Sequence, residues 1–570
     1  METRRLITIL TGIAVAIVLV IGGLVVVSSM GGGDDDDGGS TTNDGGNGGD
    51  DGGDDDGGEA TPSLPEREEG ELRLFGPDPV TLDPACASDA GSAEYIVEIF
   101  SGLVSFDRDL NLIPDIAEKW DTSSDGTVYT FHLRTNVLFH DASRRVTADD
   151  FKFSMERALN PDTLSTVGEV YLDDIVGADD FIRGRADEVS GIKVINDNTL
   201  EITVKEASSV FLEKLSYPTG YVVDRREVGD STCFEGAEWT LTPNGTGPFR
   251  MANWELGQRI ELEPNDGFYL EPKPSLAKVT YILSGGSALT MYENDEIDLT
   301  GVGINDIESI RDPNNELNKE LVESESLDVY YIGFNVAEPP FDDPSVRLAL
   351  SMAIDKELLA NEILAGLVDP AQGILPPGMP GYNPDLEGIE FDPEGARDLL
   401  NDAGGPEVLQ DVVLLTPGRG ASPGDVLEAI AAMWTENLQL DFDIPIEQED
   451  LGLFLRDLDE SNFAMFSLGW IADYPDPQNF LDIKLRSTSP NNETGYSNSE
   501  VDDLLEQALN EADETKREEL YQQAEQLIVD DAPWIPLYHG KASALIKPYV
   551  KGYEIPPFVI PNLRYVSIEK

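Results

Sequence analysis

Basic residues are scarce in this chain: 38 Lys and Arg stand against 110 Asp and Glu in 570 residues, a formal net charge of -72. No Lys/Arg-rich run occurs, which disfavours nucleic acid as a partner, because phosphate binding needs clustered cations. Histidine is rarer still. His132, His140 and His539 are too scattered for a zinc or nickel cage, and neither H-E-x-x-H nor C-x-x-C is present. Each histidine is therefore read as structural, and neither a metal site nor a cofactor is expected. No catalytic residue is assigned.

Apolar residues, in contrast, make up an ordinary 40% of the chain, enough for a core. At 570 residues the chain exceeds what one core fills, since single cores stop growing at roughly 250 to 300 residues. Two or more lobes follow, with the excess acid outside. Such a surface repels itself at low ionic strength and is soluble when salt screens it. The reading is a salt-adapted, halophilic setting; the plainer alternative is a generic acidic secreted protein.

One long hydrophobic run is present, Leu6 to Val27, broken only by Thr8 and Thr11. At about 1.5 Å per helical residue it reaches roughly 33 Å, enough to cross a bilayer. Arg4 and Arg5 precede it and Asp34 to Asp37 follow, which puts residues 1–5 in the cytoplasm and the rest outside. An uncleaved transmembrane anchor is expected over 6–28; the competing reading is a cleaved signal peptide, whose apolar part usually runs about 7 to 15 residues. No Cys follows the run, so a lipid anchor there is excluded. Residues 29–65 are Gly, Asp, Asn, Ser and Thr with almost nothing to bury, the composition of a disordered tether. Only Cys86 and Cys233 exist. In an extracellular domain an even pair suggests one disulfide, the alternative being two separate buried thiols.

Alternating apolar residues mark half-buried strands at Leu72 and Leu74, at Tyr129, Phe131 and Leu133, at Leu200, Ile202 and Val204, and at Ile260 and Leu262. Thr147 with Asp150 forms a capping pair before Phe151, Met155, Ala158 and Leu159. Asp343-Pro344 starts a second helix, with Val346, Leu350, Ile354 and Leu358 at helical steps and Gly366 at its end, and Ser499 with Asp502 opens a third. Strands and helices mixed in this way give an α/β or α+β architecture.

The richest stretch is Gly469-Trp470-Ile471-Ala472-Asp473-Tyr474-Pro475-Asp476-Pro477-Gln478-Asn479-Phe480-Leu481, which sets a carboxylate between aromatics among turn formers. Further strings are Leu103-Val104-Ser105-Phe106-Asp107, Pro114 to Trp120, Tyr129 to Arg134, Thr147-Ala148-Asp149-Asp150-Phe151, and Tyr331-Ile332-Gly333-Phe334-Asn335 followed by Pro339 to Leu350 and Ala353-Ile354-Asp355-Lys356. Together they resemble the extracellular solute-binding proteins of family 5, the peptide-, oligopeptide- and nickel-binding components of ABC importers. The resemblance spans most of residues 71 to 545.

It implies a two-lobe, periplasmic-binding-protein-like clamshell with a hinge. Lobe I would be about 66–325 and 543–570, lobe II about 326–542, with crossings in Asp328 to Val336 and Leu537 to Leu545. Asp473 matches the family residue that receives a peptide's ammonium group. Gly469, Trp470, Ile471 and Tyr474, with Ala90 across the cleft, would complete the ligand site. The implied partners are a peptide, an ABC permease and its ATPase subunits, with the binding domain extracellular and the membrane reached through the N-terminal helix. Other cargo stays open: an oligosaccharide, a chelated metal, or a ligand reported by a tethered sensor. Two departures stand out. Ala142 follows Phe139-His140-Asp141 where relatives usually carry Gly, so a remodelled turn is expected, and Ser467 stands where some oligopeptide binders have a base for the peptide carboxylate.

Overall fold

The computed structural model describes residues 66–233, 238–418, 424–449, 451–489, 491–511 and 513–570. The expected anchor (6–28) and tether (29–65) lie outside the described residues. Among those described, no helix is long and apolar enough to cross a membrane.

Strands arise where the sequence alternates. In Val128–Leu133 the side chains of Tyr129, Phe131 and Leu133 are buried while their neighbours are part-exposed, as the period of two requires. That strand is central in an antiparallel sheet with Ala117–Thr122, Thr199–Thr203 and Ile192–Asn196. Glu71–Phe75, which contains Leu72 and Leu74, pairs in parallel with Lys278–Ile282; Arg259–Pro264 and Phe249–Glu255 complete a second four-stranded sheet.

Helices begin where short acids can accept the first free amides. The Thr147–Asp150 capping box opens Ala148–Leu159, and Asp343 accepts from the Ser345 amide at 2.8 Å to open Pro344–Met352. Such caps contribute about 1 kcal/mol each and account for part of the acid excess. The third helix, Ser499–Asn510, is capped by Asn498 and not by Ser499. The second ends at Met352, well short of Gly366: Asp355 caps a new turn at Lys356–Leu358, and a wider turn over Leu359–Ile363 follows. The turn after His140 keeps a left-handed residue, Ala142 at φ 53°, which glycine would adopt at less cost.

One long strand, Trp534–Ile546, organises the assembly of two lobes. Its first part pairs with Asp328–Phe334 and Val368–Pro370, and its second part with Leu321–Glu325 and Leu299–Gly301. The chain steps from Glu325 to Asp328 beside this strand, with Glu325 opposite Lys541. Met465–Ile471 lies on the other side of Asp328–Phe334, followed by Leu414–Pro417 and Ile446–Glu449. The largest apolar cluster takes residues from both lobes, Phe106 and Tyr171 on one side and Trp470 and Phe480 on the other.

Cys86 and Cys233 are joined by a disulfide, with Cα atoms 5.4 Å apart. The same loops are held by Arg157, which sits on the Asp83 carboxylate at 2.8 Å and donates to the Ser231 carbonyl at 3.1 Å.

Candidate functional site

A cavity opens between the lobes. One wall is the end of the strand Met465–Ile471 and the turn after it, contributing Trp470, Ile471, Ala472 and Asp473. The facing wall comes from the start of the helix Ala90–Ile99, from Ser216 to Pro218, and from Phe558 to Pro561 near the C-terminus.

Local chemistry explains why Asp473 is presented here. The Asn479 amide oxygen accepts from the Asp473 backbone N–H and from Trp470 Nε1, each at 3.1 Å, while its Nδ2 donates to the Asp473 carboxylate at 3.1 Å. A single side chain thus closes the turn Gly469-to-Asn479 and aims the carboxylate. The Tyr171 hydroxyl, from the opposite lobe, also donates to it. Burial outweighs these bonds and the nearby Lys484, so the Asp473 carboxyl is pushed up to about 6. Lys484 itself sits 4.6 Å over the Trp470 ring and is paired with Glu493. Asp473 takes part in no ion pair among the described residues. Tyr171 stacks flat on Tyr217, ring centres 3.7 Å apart, so an aromatic plate lies against the acid.

Of the residues expected at the site, Asp473, Trp470, Ile471 and Ala90 line the cavity, and Gly469 and Tyr474 do not. Gly469 is a strand residue opposite Tyr330. Tyr474 is fully buried, its hydroxyl donating to Gln478, because the turn sends it to the far side of the backbone from Asp473. Sequence reasoning missed Asp89, Tyr171, Tyr217, Phe106 and Phe558. Asp89 alone carried a signal, as the N-cap that accepts from the Ser92 amide at 2.8 Å; the aromatics are placed by tertiary packing. Asp476, two residues after Tyr474, is neutralised by a paired contact with Arg517, both bonds at 2.7 Å. Across the lobe boundary the part-buried Glu213 carboxyl is pushed up by desolvation and by the charge of Asp476.

Beyond Phe466, the strand Met465–Ile471 has a partner on one edge only: Asp328–Phe334 pairs along its length, whereas Leu414–Pro417 meets it only at Met465 and Phe466. From Ser467 to Ile471 the other edge has no strand partner among the described residues. An extended chain can be added to such an edge by main-chain hydrogen bonds.

A two-lobe α/β fold with a cavity at the lobe boundary, one desolvated acid and an open strand edge defines a solute-binding protein of the clamshell class. The family model for bacterial extracellular solute-binding proteins, family 5, matches residues 111–492, and the chain belongs to that family. It is 31% identical over 494 residues to the periplasmic oligopeptide-binding protein of Salmonella typhimurium, covering 85% of this chain and 89% of that one. Heme-binding protein A of Haemophilus influenzae is 30% identical over 492 residues, covering 83% of this chain and 87% of its own. Among solved structures, the Escherichia coli murein tripeptide binding protein superposes with a TM-score of 0.74 at 28% identity, over 88% of this chain and 98% of that one.

Proposed function

We propose that this protein is the extracellular, membrane-anchored substrate-binding component of an ABC importer, capturing short peptides between its lobes and handing them to a permease. The observation that carries the reading is Asp473: a desolvated carboxylate without a cation, facing a cavity beside an unpaired strand edge. A peptide's ammonium supplies the missing charge through a charge-assisted hydrogen bond, and its backbone adds to the strand edge whatever its side chains are. The relatives' names, an oligopeptide-binding protein and a murein tripeptide binding protein, support the same cargo. The protein performs no chemistry on it.

Closure is a hinge motion about the two crossings, near Ser326 and near Gly540, where the long strand passes from one lobe to the other. The anchor over residues 6–28 keeps the domain beside its permease. Mass spectrometry of what co-purifies with the native protein tests the reading: short peptides are expected, and a sugar or another non-peptide solute as the retained species overturns it. Co-purification with permease subunits separates delivery from sensing.

Binding should depend on pH. The empty site holds Asp473 with a carboxyl pushed up to about 6, whereas the ammonium requires the ionised form. Affinity is therefore flat above pH 6 and falls by up to about tenfold per unit below it. The fold itself responds in the opposite sense: a carboxyl raised above its unfolded value favours the protonated state, so this group's contribution to stability increases as pH falls through 6. Calorimetric titrations between pH 4.5 and 8 check this, and an affinity that stays level down to pH 4.5 contradicts it.

Salt adaptation makes a separate prediction. A formal charge of -72 repels itself over about 30 Å at 0.01 M salt but only about 3 Å at 1 M. The urea midpoint should rise from low to molar sodium chloride; a midpoint that stays constant or falls assigns the charge to solubility alone.

A further inference from the structure

The cavity between the lobes carries charge of one sign. Its described lining includes two acids, Asp89 and Asp473, and not one Lys, Arg or His. Asp89 is engaged as a helix cap, accepting from the Ser92 amide, and neither acid takes part in an ion pair among the described residues. The two carboxylates act on the same region: burial first, and then the charges of Asp473 and Asp89, raise the Tyr217 hydroxyl, which also lines the cavity. Lys484 is paired with Glu493 behind the Trp470 ring and Arg517 with Asp476, and neither lines the cavity. The remaining wall mixes the uncharged hydroxyl side chains of Ser88, Ser105, Ser216, Tyr217 and Tyr221 with apolar groups, Phe106 and Phe558 in edge contact, ring centres 5.7 Å apart, beside Val559 and Ile560.

A free carboxylate drawn into this space would lose water, meet no positive partner and face two negative ones, at a cost of several kcal/mol. An ammonium or an apolar group meets no such obstacle. We infer that the site selects the cationic end of its ligand and rejects the anionic one: it takes peptides whose C-terminus is uncharged or lies outside the cavity, with an apolar or basic first residue and not an acidic one. The inference rests on the peptide reading above and adds the substrate class.

The test uses the full chain offered three mixed-sequence tripeptide pools together, one free at both ends, one amidated at the C-terminus and one acetylated at the N-terminus, with the retained species quantified by mass spectrometry. Amides retained at least as well as free acids, acetylated peptides depleted tenfold or more, and acidic first residues under-represented are the expected result. Free acids retained threefold or more over their amides overturn the inference while leaving the peptide reading intact. Retention from none of the pools overturns the peptide reading and the inference with it.

Discussion

Replacing Asp473 with Ala should weaken peptide binding by about 2 to 5 kcal/mol, roughly 30- to 5,000-fold, because the ammonium is then buried without its counter-charge. Asp473→Asn is the sharper variant. It keeps the shape and a carbonyl oxygen that can still accept from Asn479 and from the Tyr171 hydroxyl. It also removes a carboxylate that the empty site holds against a desolvation penalty. The empty Asn variant should therefore be at least as stable as the parent at pH 7 while binding far more weakly. A turn-closing role predicts the reverse, a less stable protein with its affinity preserved. Calorimetry with the tripeptide retained best from the mixed pools, together with thermal unfolding of the empty protein, distinguishes the two outcomes, and unchanged affinity removes Asp473 from the site.

Loss of the Cys86–Cys233 bridge should lower the unfolding free energy by roughly 4 to 5 kcal/mol, as the chain-entropy model gives for so long a loop. The two cysteines are 147 residues apart, so the bridge removes much freedom from the unfolded chain. In the folded state its loss is cushioned. Asp83 and Arg157 form a buried ion pair across the same loops, and the Cys233 amide donates to the Thr163 carbonyl at 2.9 Å. Ser88, Asp89 and Ala90, which follow Cys86 at the cavity wall, should thus keep their places. The Cys86→Ser, Cys233→Ser double variant is expected to bind with little change in affinity but to unfold at a clearly lower urea concentration. A midpoint equal to the parent's would show that the bridge constrains nothing the ion pair does not.

Much of the fold was legible because its signals are local. The alternation Tyr129, Phe131, Leu133 and the Thr147–Asp150 box each specify an element from a few neighbouring residues, and the structure has both. The second helix was read too long because Ile354 and Leu358 keep helical spacing across a break that Asp355 imposes by capping a new turn. Periodicity reports which residues face inward, and two short helices in line present the same stripe as one long one.

At the site, the string around Asp473 could be read as an acid presented to a cation, since the turn formers and Asn479 that aim it lie within a few residues. Which neighbours share its face could not. Gly469 stays in the sheet and Tyr474 turns into the core, because strand pleat and turn geometry set those directions against neighbours distant in sequence. By itself, the sequence determined the family, the acidic composition, the strand and helix seeds and the turn that carries Asp473. The tertiary structure alone decided that Asp89, Tyr217 and Phe558 line one cavity with Asp473, with Tyr171 stacked on Tyr217 and no Lys, Arg or His in the described lining. Contacts between residues hundreds of positions apart arise from how sheets and lobes pack, and no local pattern encodes them.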